Sequence, residues 1–195
     1  MTEAPDPIDV RLVSGLWQVV AERGWDGLSM AGIAAACRVP AAVLRARCPT
    51  PLHLLRLHGQ VADQQVLAGT VPGQGGPARD RVFDVLMRRI DAMQPHRPGL
   101  LRLFEDLPRD PLVALALLAA LPRSMAWMLE AAEVPAAPGP LGLLRLRGLT
   151  AVWLATVRAW TRDGSPDLGA TMAALDRALD RAGQVARTLR LGLEP

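Results

Sequence analysis

Apolar residues recur along this chain three or four positions apart, the spacing of helices that bury one face, and strand-forming β-branched and aromatic residues are scarce. We therefore predict an all-α fold. Ser29 suits a helix N-cap, Pro40 suits the first turn of a helix, and Thr50 with Pro51 forms a cap followed by a first-turn proline. In the first third of the chain these signals predict helices over residues 10–22, 30–37, 40–47 and 51–69.

Glycine and proline crowd residues 69–77, so we predict a flexible linker there between a helical head, residues 1–68, and a helical body, residues 78–195. Within the body, Pro122 is expected to kink or divide one helix, and Ser165 is expected to cap the last one. The body pattern predicts helices over residues 78–94, 98–107, 110–132, 143–162 and 167–190.

Composition narrows the class of protein. Half of the 195 residues are hydrophobic and 21% are charged, which is typical of a globular chain. All 22 basic residues are arginine, yet the formal net charge is only +3, which permits a nucleic-acid partner without requiring one. Cys37 and Cys48 form no disulfide framework, no signal-peptide pattern is seen, and the apolar run 111–122 is shorter than a span of about 20 residues. We predict a cytoplasmic protein with reduced cysteines and no membrane span.

Residues 16–54 carry a pattern whose most informative positions are 21–26, 29–30, 33–36, 39, 44, 49 and 54–55. This pattern resembles, without gaps, the helix-turn-helix head of TetR-family transcription regulators. The resemblance implies a three-helix head on each of two subunits, and a helical body that dimerises and binds a small effector. The predicted helices and the joint near residue 70 suit that architecture.

A second resemblance lies at the other end, in residues 153–182, where Trp160, the break at 163–167 and Thr171 are the informative features. This stretch looks like the tail of lipid-binding accessory proteins of ubiquinone biosynthesis, which have a TetR-like shape and carry isoprenoid lipid. Two functions therefore stay open. One is a DNA-binding regulator that responds to a small hydrophobic effector. The other is a lipid-binding accessory protein with a degenerate head that does not bind DNA.

The resemblance places the DNA contacts at the start of the second helix and along the third. Arginine can pair with phosphate or read guanine, and a hydroxyl at a helix start can bind phosphate. The chain departs from the family's pattern, because Arg38 replaces the turn glycine, Pro40 a capping serine, Ala41 a basic residue and Arg45 an aromatic residue. The predicted DNA-binding residues are Ser29, Met30, Arg38, Pro40, Ala41, Ala42, Arg45 and Arg47.

Bulky side chains of the body can either form its core or line a pocket for a small hydrophobic effector or lipid. A kink at Pro122 favours a gap nearby, with Arg123 at its polar end. The predicted effector-binding residues are Met93, Phe104, Arg123, Met125, Trp127, Met128 and Trp153.

The last helix carries a narrow apolar seam, and the helix before it is apolar on nearly every side. We therefore predict a homodimer through helices 143–162 and 167–190. The charge pairs Asp176–Arg177 and Asp180–Arg181 beside the seam are candidates for orienting the partner. The predicted interface residues are Val152, Trp160, Leu168, Met172, Leu175 and Leu179.

Catalytic and metal chemistry is not expected. The three histidines lack the i, i+4 pairing of helical metal ligands, so His53, His58 and His96 are expected to be exposed or capping. The acidic and basic residues of 105–110 suit a loop between helices, and no nucleophile motif or phosphate-binding loop is present. We predict no enzymatic activity, no cofactor and no bound metal.

Overall fold

The computed structural model describes residues 4–73, 75–135 and 138–188. Over those ranges the chain forms helices and turns without a strand, which confirms the predicted all-α class. Short 3₁₀ turns, Gln94–His96 and Leu107–Arg109, flank the sixth helix. The α-helices are α1 (Pro7–Arg23), α2 (Met30–Cys37), α3 (Ala41–Arg47), α4 (Pro51–Gly69), α5 (Ala78–Met93), α6 (Arg97–Asp106), α7 (Pro111–Ala131), α8 (Gly139–Trp160) and α9 (Gly169–Thr188).

Local signals located the short helices of the head well. α2 has the predicted bounds, and Ser29 Oγ accepts a hydrogen bond from the Gly32 amide at 3.1 Å, as an N-cap does. α4 begins at Pro51 as predicted. Pro40, however, precedes α3 as its N-cap residue and does not lie within the helix. The extended backbone of Pro40 explains the difference, since its ψ of 137° is not helical.

Pro122 does not divide its helix, because α7 is continuous from Pro111 to Ala131. An 18-residue window of this helix has a mean hydropathy of 1.8, and 22% of that window is buried. α7 is therefore long and apolar enough to cross a membrane, although core helices of soluble proteins meet the same criterion. The absence of a membrane span stays a prediction.

Asp163 caps the start of α9, a role predicted for Ser165. The Asp163 carboxylate accepts hydrogen bonds from the amide and the hydroxyl of Thr171, each at 2.7 Å, and from the Ser165 amide at 3.1 Å. The Ser165 hydroxyl also donates to this carboxylate, and the hydrogen bonds from the Ser165 and then the Thr171 hydroxyl lower the pKa of Asp163. Ser165 lies too early to cap a helix that begins at Gly169.

The described residues pack into two compact units. The first unit takes its residues from Met1–Ala68 and Ala92–Ala120, and so holds α1 to α3, nearly all of α4, α6 and the first half of α7. The second takes its residues from Gly69–Asp91 and Leu121–Pro195, with most of α5, the rest of α7, α8 and α9. The division into residues 1–68, 69–77 and 78–195 stays a prediction about independently folding domains.

Helix α1 is the central element of the first unit and packs against α2 and α6. Glycines permit both approaches, because an added Cβ at Gly15 would lie 2.2 Å from Cys37 Sγ, and one at Gly99 would lie 2.4 Å from the Trp17 carbonyl oxygen. Cys37 and Cys48 are buried and free, as predicted, and burial raises the pKa of each thiol. The buried residues of α1 include Leu12, Val13, Leu16, Trp17 and Val20.

The segment predicted as a flexible linker belongs to the second unit and makes hydrogen bonds within it. Thr70 Oγ1 accepts a hydrogen bond from Arg88 at 3.2 Å, and the Gly73 amide donates to Glu133 Oε1 at 2.8 Å. Arg81 donates to the Gly76 carbonyl oxygen and, at 2.8 Å, to the Ala132 carbonyl oxygen after α7. Two backbone groups of this segment therefore have hydrogen-bond partners elsewhere in the second unit, and its role as a flexible linker stays a prediction.

Arg79 joins α5 to α9 in the second unit. Its Nη2 atom lies 2.6 Å from an oxygen of Asp176 and 2.8 Å from one of Asp180. The two carboxylates are one helical turn apart, so a single guanidinium reaches both. Asp176 and Asp180 therefore pair with Arg79 of their own subunit, and their role in orienting a partner stays a prediction.

Candidate nucleic-acid interface

The predicted DNA-contacting residues follow one another along the surface formed by α2, the turn after it and α3. Leu44 is 1% exposed and anchors α3 to the first unit. The opposite side of α3 is left to solvent, because alanines and arginines occupy it. Met30 is half-buried, and the exposed members of the predicted set are Ser29, Arg38, Pro40, Ala41, Ala42, Arg45 and Arg47.

Arg38 adopts a left-handed backbone conformation in the turn between α2 and α3, with φ 53° and ψ 44°. Its amide donates to the Ala35 carbonyl oxygen at 3.1 Å, and the Val39 amide donates to Ala34 at 3.1 Å, which closes the end of α2. This conformation costs a residue with a Cβ atom about 1–2 kcal/mol, so glycine is the favoured residue there. The chain thus has an arginine at a position where glycine would give a more stable fold.

We predict that Arg38→Gly stabilises the protein by about 1 kcal/mol, because it removes the backbone strain. The measurement is the free energy of unfolding in urea. Arg38→Ala is the matched control: it removes the same side chain, retains the strained Cβ and is expected to have wild-type stability. A Gly variant less stable than wild type would show that the arginine side chain itself holds the turn.

Arg47, the last residue of α3, is paired with two carboxylates of its own subunit. It lies 2.8 Å from Asp6, the N-cap residue of α1, and it also contacts Asp9. Hydrogen bonds from the Ile8 amide and then from Arg47 lower the pKa of Asp6. The prediction that Arg47 is available to DNA therefore requires correction, because a phosphate would first have to displace two carboxylates.

Arg38 and Arg45 make no ion pair with any residue that the structure describes. Arg45 also borders a shallow open concavity of about 410 Å³ between α2 and α3. Two of the three arginines on this surface thus remain for an anionic partner, one in the turn and one on α3. The concavity is lined by Met30, Ala31, Ala41, Leu44, Arg45 and Pro49.

The predicted effector residues are divided between the two compact units. Met93 and Phe104 belong to the first unit, whereas the other five belong to the second. Arg123 and Trp127 are exposed, whereas Met125, Met128 and Trp153 are buried core residues. The recess of the second unit beside Arg81 and Arg88 holds only about 10 Å³, the volume of one water, and includes none of the predicted residues.

Arg89 is a buried residue of the second unit that sequence reasoning missed. It is 5% exposed, and its guanidinium carbon lies 5.2 Å from the centre of the Trp153 ring, a cation–π contact. Burial lowers the pKa of Arg89 to about 10. Helical spacing could have identified it, because Arg89 falls on the same face of α5 as Val85 and Leu86.

Most of the predicted dimer residues are buried within the subunit. Val152, Trp160, Leu168, Leu175 and Leu179 are 9% exposed or less, so of the predicted set only Met172, at 37%, is on the surface. Their burial has an internal cause, because α8 and α9 pack against each other and cover the seam. The exposed stripe of α8 consists instead of Leu144, Arg147, Ala151, Leu154, Ala155 and Arg158.

Two further roles in the first unit were not foreseen. Asp106, expected as a loop charge, is buried and accepts a hydrogen bond from the Trp25 amide at 2.9 Å. His58 and His96, expected to be exposed or capping, are half-buried, and His58 accepts a hydrogen bond from Trp17. His53 is exposed and contacts Thr50. Among the described residues no cluster of three or more His, Cys, Asp or Glu side chains can hold a metal.

Comparison with known proteins relates the chain to solved structures only. No protein-family model matches it, and no curated protein matches it. A TetR transcriptional regulator from Nitrosomonas europaea ATCC 19718 is similar, with a TM-score of 0.72, 22% identity and coverage of 92% of this chain and 99% of that one. A TetR regulator from Rhodococcus sp. RHA1 has a TM-score of 0.60 and 18% identity, covering 90% of this chain and 94% of that one.

A TetR-family regulator from Streptomyces coelicolor is also similar, with a TM-score of 0.54 and 21% identity, covering 96% of this chain and 92% of that one. The chain therefore has the fold of TetR-family transcriptional regulators, which confirms the fold implied by residues 16–54. The resemblance of the C-terminal stretch to lipid-binding accessory proteins stays a prediction.

Proposed function

We propose that this chain is a cytoplasmic TetR-like transcriptional regulator, a non-enzymatic protein that binds duplex DNA through α2, the following turn and α3. The observation that carries the proposal is the pair of exposed arginines, Arg38 and Arg45, which have no ion-pair partner among the described residues. They lie on a helix-turn-helix surface within a fold shared with TetR regulators. The strained backbone at Arg38 adds support, because a purely structural turn favours glycine there.

A homodimer is part of the proposal, with the exposed stripe of α8 as its interface. Leu154 is 43% exposed and Leu144 is 41% exposed, and the two small residues Ala151 and Ala155 between and beside them would let a second helix approach closely. Two heads on one dimer would contact half-sites about one turn of DNA, ~34 Å, apart or more. The effector proposed is a small hydrophobic molecule that favours one arrangement of the two heads.

The test is an unbiased selection of DNA on the purified full chain. Genomic duplex fragments are incubated with the protein, and the retained fragments are sequenced, with lipid extracted from the same preparation. Enrichment of a palindromic sequence, with two chains per duplex by mass photometry, is the expected result. Recovery of fragments at background level at both 50 mM and 150 mM salt would overturn the proposal.

A second candidate function is a lipid-binding accessory protein on the same scaffold, and α7 favours it. Leu112, Leu115 and Leu118 are 66%, 64% and 51% exposed, and residues 111–122 carry no charge. Such a row of exposed leucines suits contact with an apolar partner such as lipid. Isoprenoid lipid recovered in the extract, together with background recovery of DNA, would favour this second function.

A further inference from the structure

Three aromatic side chains of the first unit meet where α1, α4 and the turn before α6 come together. The indole nitrogen of Trp17 donates a hydrogen bond to Nδ1 of His58 at 3.1 Å. The two rings meet edge to face, with centroids 4.9 Å apart and an interplanar angle of 79°. The ring of His96 lies on His58 in the same manner, with centroids 5.8 Å apart.

Because Trp17 is the donor, this hydrogen bond determines the protonation state of His58. An indole N–H can only donate, so Nδ1 of His58 must carry a free lone pair. The bond therefore exists when His58 is neutral with its proton on Nε2, and a doubly protonated ring cannot make it. Protonation would also place two N–H donors opposite each other at this contact.

The surroundings of the cluster are mainly apolar. His58 shares the inward face of α4 with Leu54, Leu55, Val61 and Ala62, all of them buried. On α4, Arg56 and Asp63 lie about 160° and 140° around the helix from His58. On α1 the nearest carboxylate in sequence, Glu22, is hydrogen-bonded to Gln18.

His96 belongs to the 3₁₀ turn before α6 and is half-buried. Arg97 directly follows His96 in the chain and begins α6. On α6, Arg102 lies 3.6 Å from Asp106, and Asp106 is engaged by the Trp25 amide. Burial lowers the pKa of His96 below its usual value of 6.5.

The direction of the pH effect follows from this lowered pKa. The unfolded chain binds a proton at His96 more readily than the folded protein does, so the free energy of unfolding decreases as the pH falls through about 6.5. Charging both rings would add repulsion across a contact of 5.8 Å. Acid therefore opposes the packing that the neutral cluster supports.

We propose that Trp17, His58 and His96 form an acid-sensitive latch that holds α1 against α4 when both histidines are neutral and releases it when they are protonated. The latch lies in the unit that carries α2 and α3, so on the proposed function its release would weaken DNA binding. Only that last consequence rests on the proposed function. The latch itself is a property of the folded chain.

The experiment is amide hydrogen exchange of the full chain at pH 7.5 and pH 5.5, followed by mass spectrometry and corrected for intrinsic exchange rates. Protection of α1 peptides is expected to fall about tenfold at the lower pH, the factor that corresponds to one net hydrogen bond. In the variant His58→Gln with His96→Gln, the glutamine oxygen can accept from Trp17 and does not titrate, so protection is expected to be independent of pH.

The matched control is His53→Gln, which removes the exposed third histidine and is expected to keep the wild-type response. An equal loss of protection in the double variant, or none in wild type, would overturn the latch. Nitrogen NMR of the His58 ring at pH 7.5 tests it without any substitution: a proton on Nδ1 contradicts it, and a proton on Nε2 supports it. Loss of DNA binding in other experiments leaves these readouts unchanged.

Discussion

Replacing Arg38 and Arg45 together by glutamine is expected to weaken binding of duplex DNA roughly a thousandfold at 0.15 M salt. A dimer presents two such arginines on each head, and four neutralised phosphates correspond to a slope of about −3.6 in log K against log salt. We expect the variant to bind this DNA much more weakly and with a much smaller dependence of log K on log salt. The measurement is a fluorescence-anisotropy titration at several salt concentrations with the DNA selected by wild-type protein.

The control for this variant changes the same charge elsewhere. Arg162→Gln with Arg187→Gln alters two exposed arginines of the second unit and is expected to keep wild-type affinity and slope. If both double variants lose affinity equally, net charge and not the α2–α3 surface would govern binding. Wild-type affinity in the Arg38 and Arg45 variant would contradict the proposed contacts directly.

The slope of log K against log salt for wild-type protein also shows whether Arg47 contacts DNA. With Arg47 held by Asp6 and Asp9, two arginines per head are available and the expected slope is about −3.6. Had all three arginines been free, as the sequence suggested, the slope would be about −5. A measured slope near −5 would mean that Arg47 exchanges its carboxylates for phosphate when DNA binds.

Gly99→Ala is expected to destabilise the protein by about 3 kcal/mol. The added Cβ would lie 2.4 Å from the Trp17 carbonyl oxygen and 3.0 Å from its Cα atom, and both atoms are backbone that cannot rotate away. Helices α1 and α6 would have to separate, which disturbs the central packing of the first unit. The measurement is the urea midpoint and the free energy of unfolding.

Gly148→Ala is the matched control for Gly99→Ala. Gly148 also lies inside a helix, but nothing stands within 4 Å of the added Cβ. That change is expected to stabilise the protein by about 1 kcal/mol through helix propensity alone. Opposite signs for the two substitutions are therefore predicted, and a Gly99 variant as stable as the Gly148 variant would contradict close packing of α6 on α1.

Helices and their buried faces were predictable because the signals for them lie within a few residues. Ser29 caps α2 by accepting a hydrogen bond from the Gly32 amide, so residues close in sequence determine where that helix begins. Spacing alone places Val82, Val85, Leu86, Ile90 and Met93 on one face of α5, and all five are buried. The same local logic failed at Ser165, because the Asp163 carboxylate, two residues before it, accepts the hydrogen bonds at the start of α9.

The candidate site was predictable only in outline. The family resemblance located α2, α3 and three arginines. Arg38 in the turn and Arg45 and Arg47 on α3 are all exposed. The sequence could not show which arginines remain available to DNA, because Arg47 pairs with Asp6, a residue 41 positions away. The burial of most predicted dimer residues within the subunit has a related cause. An apolar seam shows that a helix face is covered, but not whether a neighbouring helix or a second subunit covers it.

By itself, the sequence of this protein determined the all-helical class, the positions of its short helices and the likeness of its first third to a helix-turn-helix head. Those properties depend on interactions between near neighbours, which spacing and capping residues record. Only the tertiary structure decided that Arg89 is buried against Trp153, that Asp106 holds the Trp25 amide and that His58 accepts from Trp17. Each of these contacts joins residues more than 40 positions apart, and only the packing of the helices brings them together.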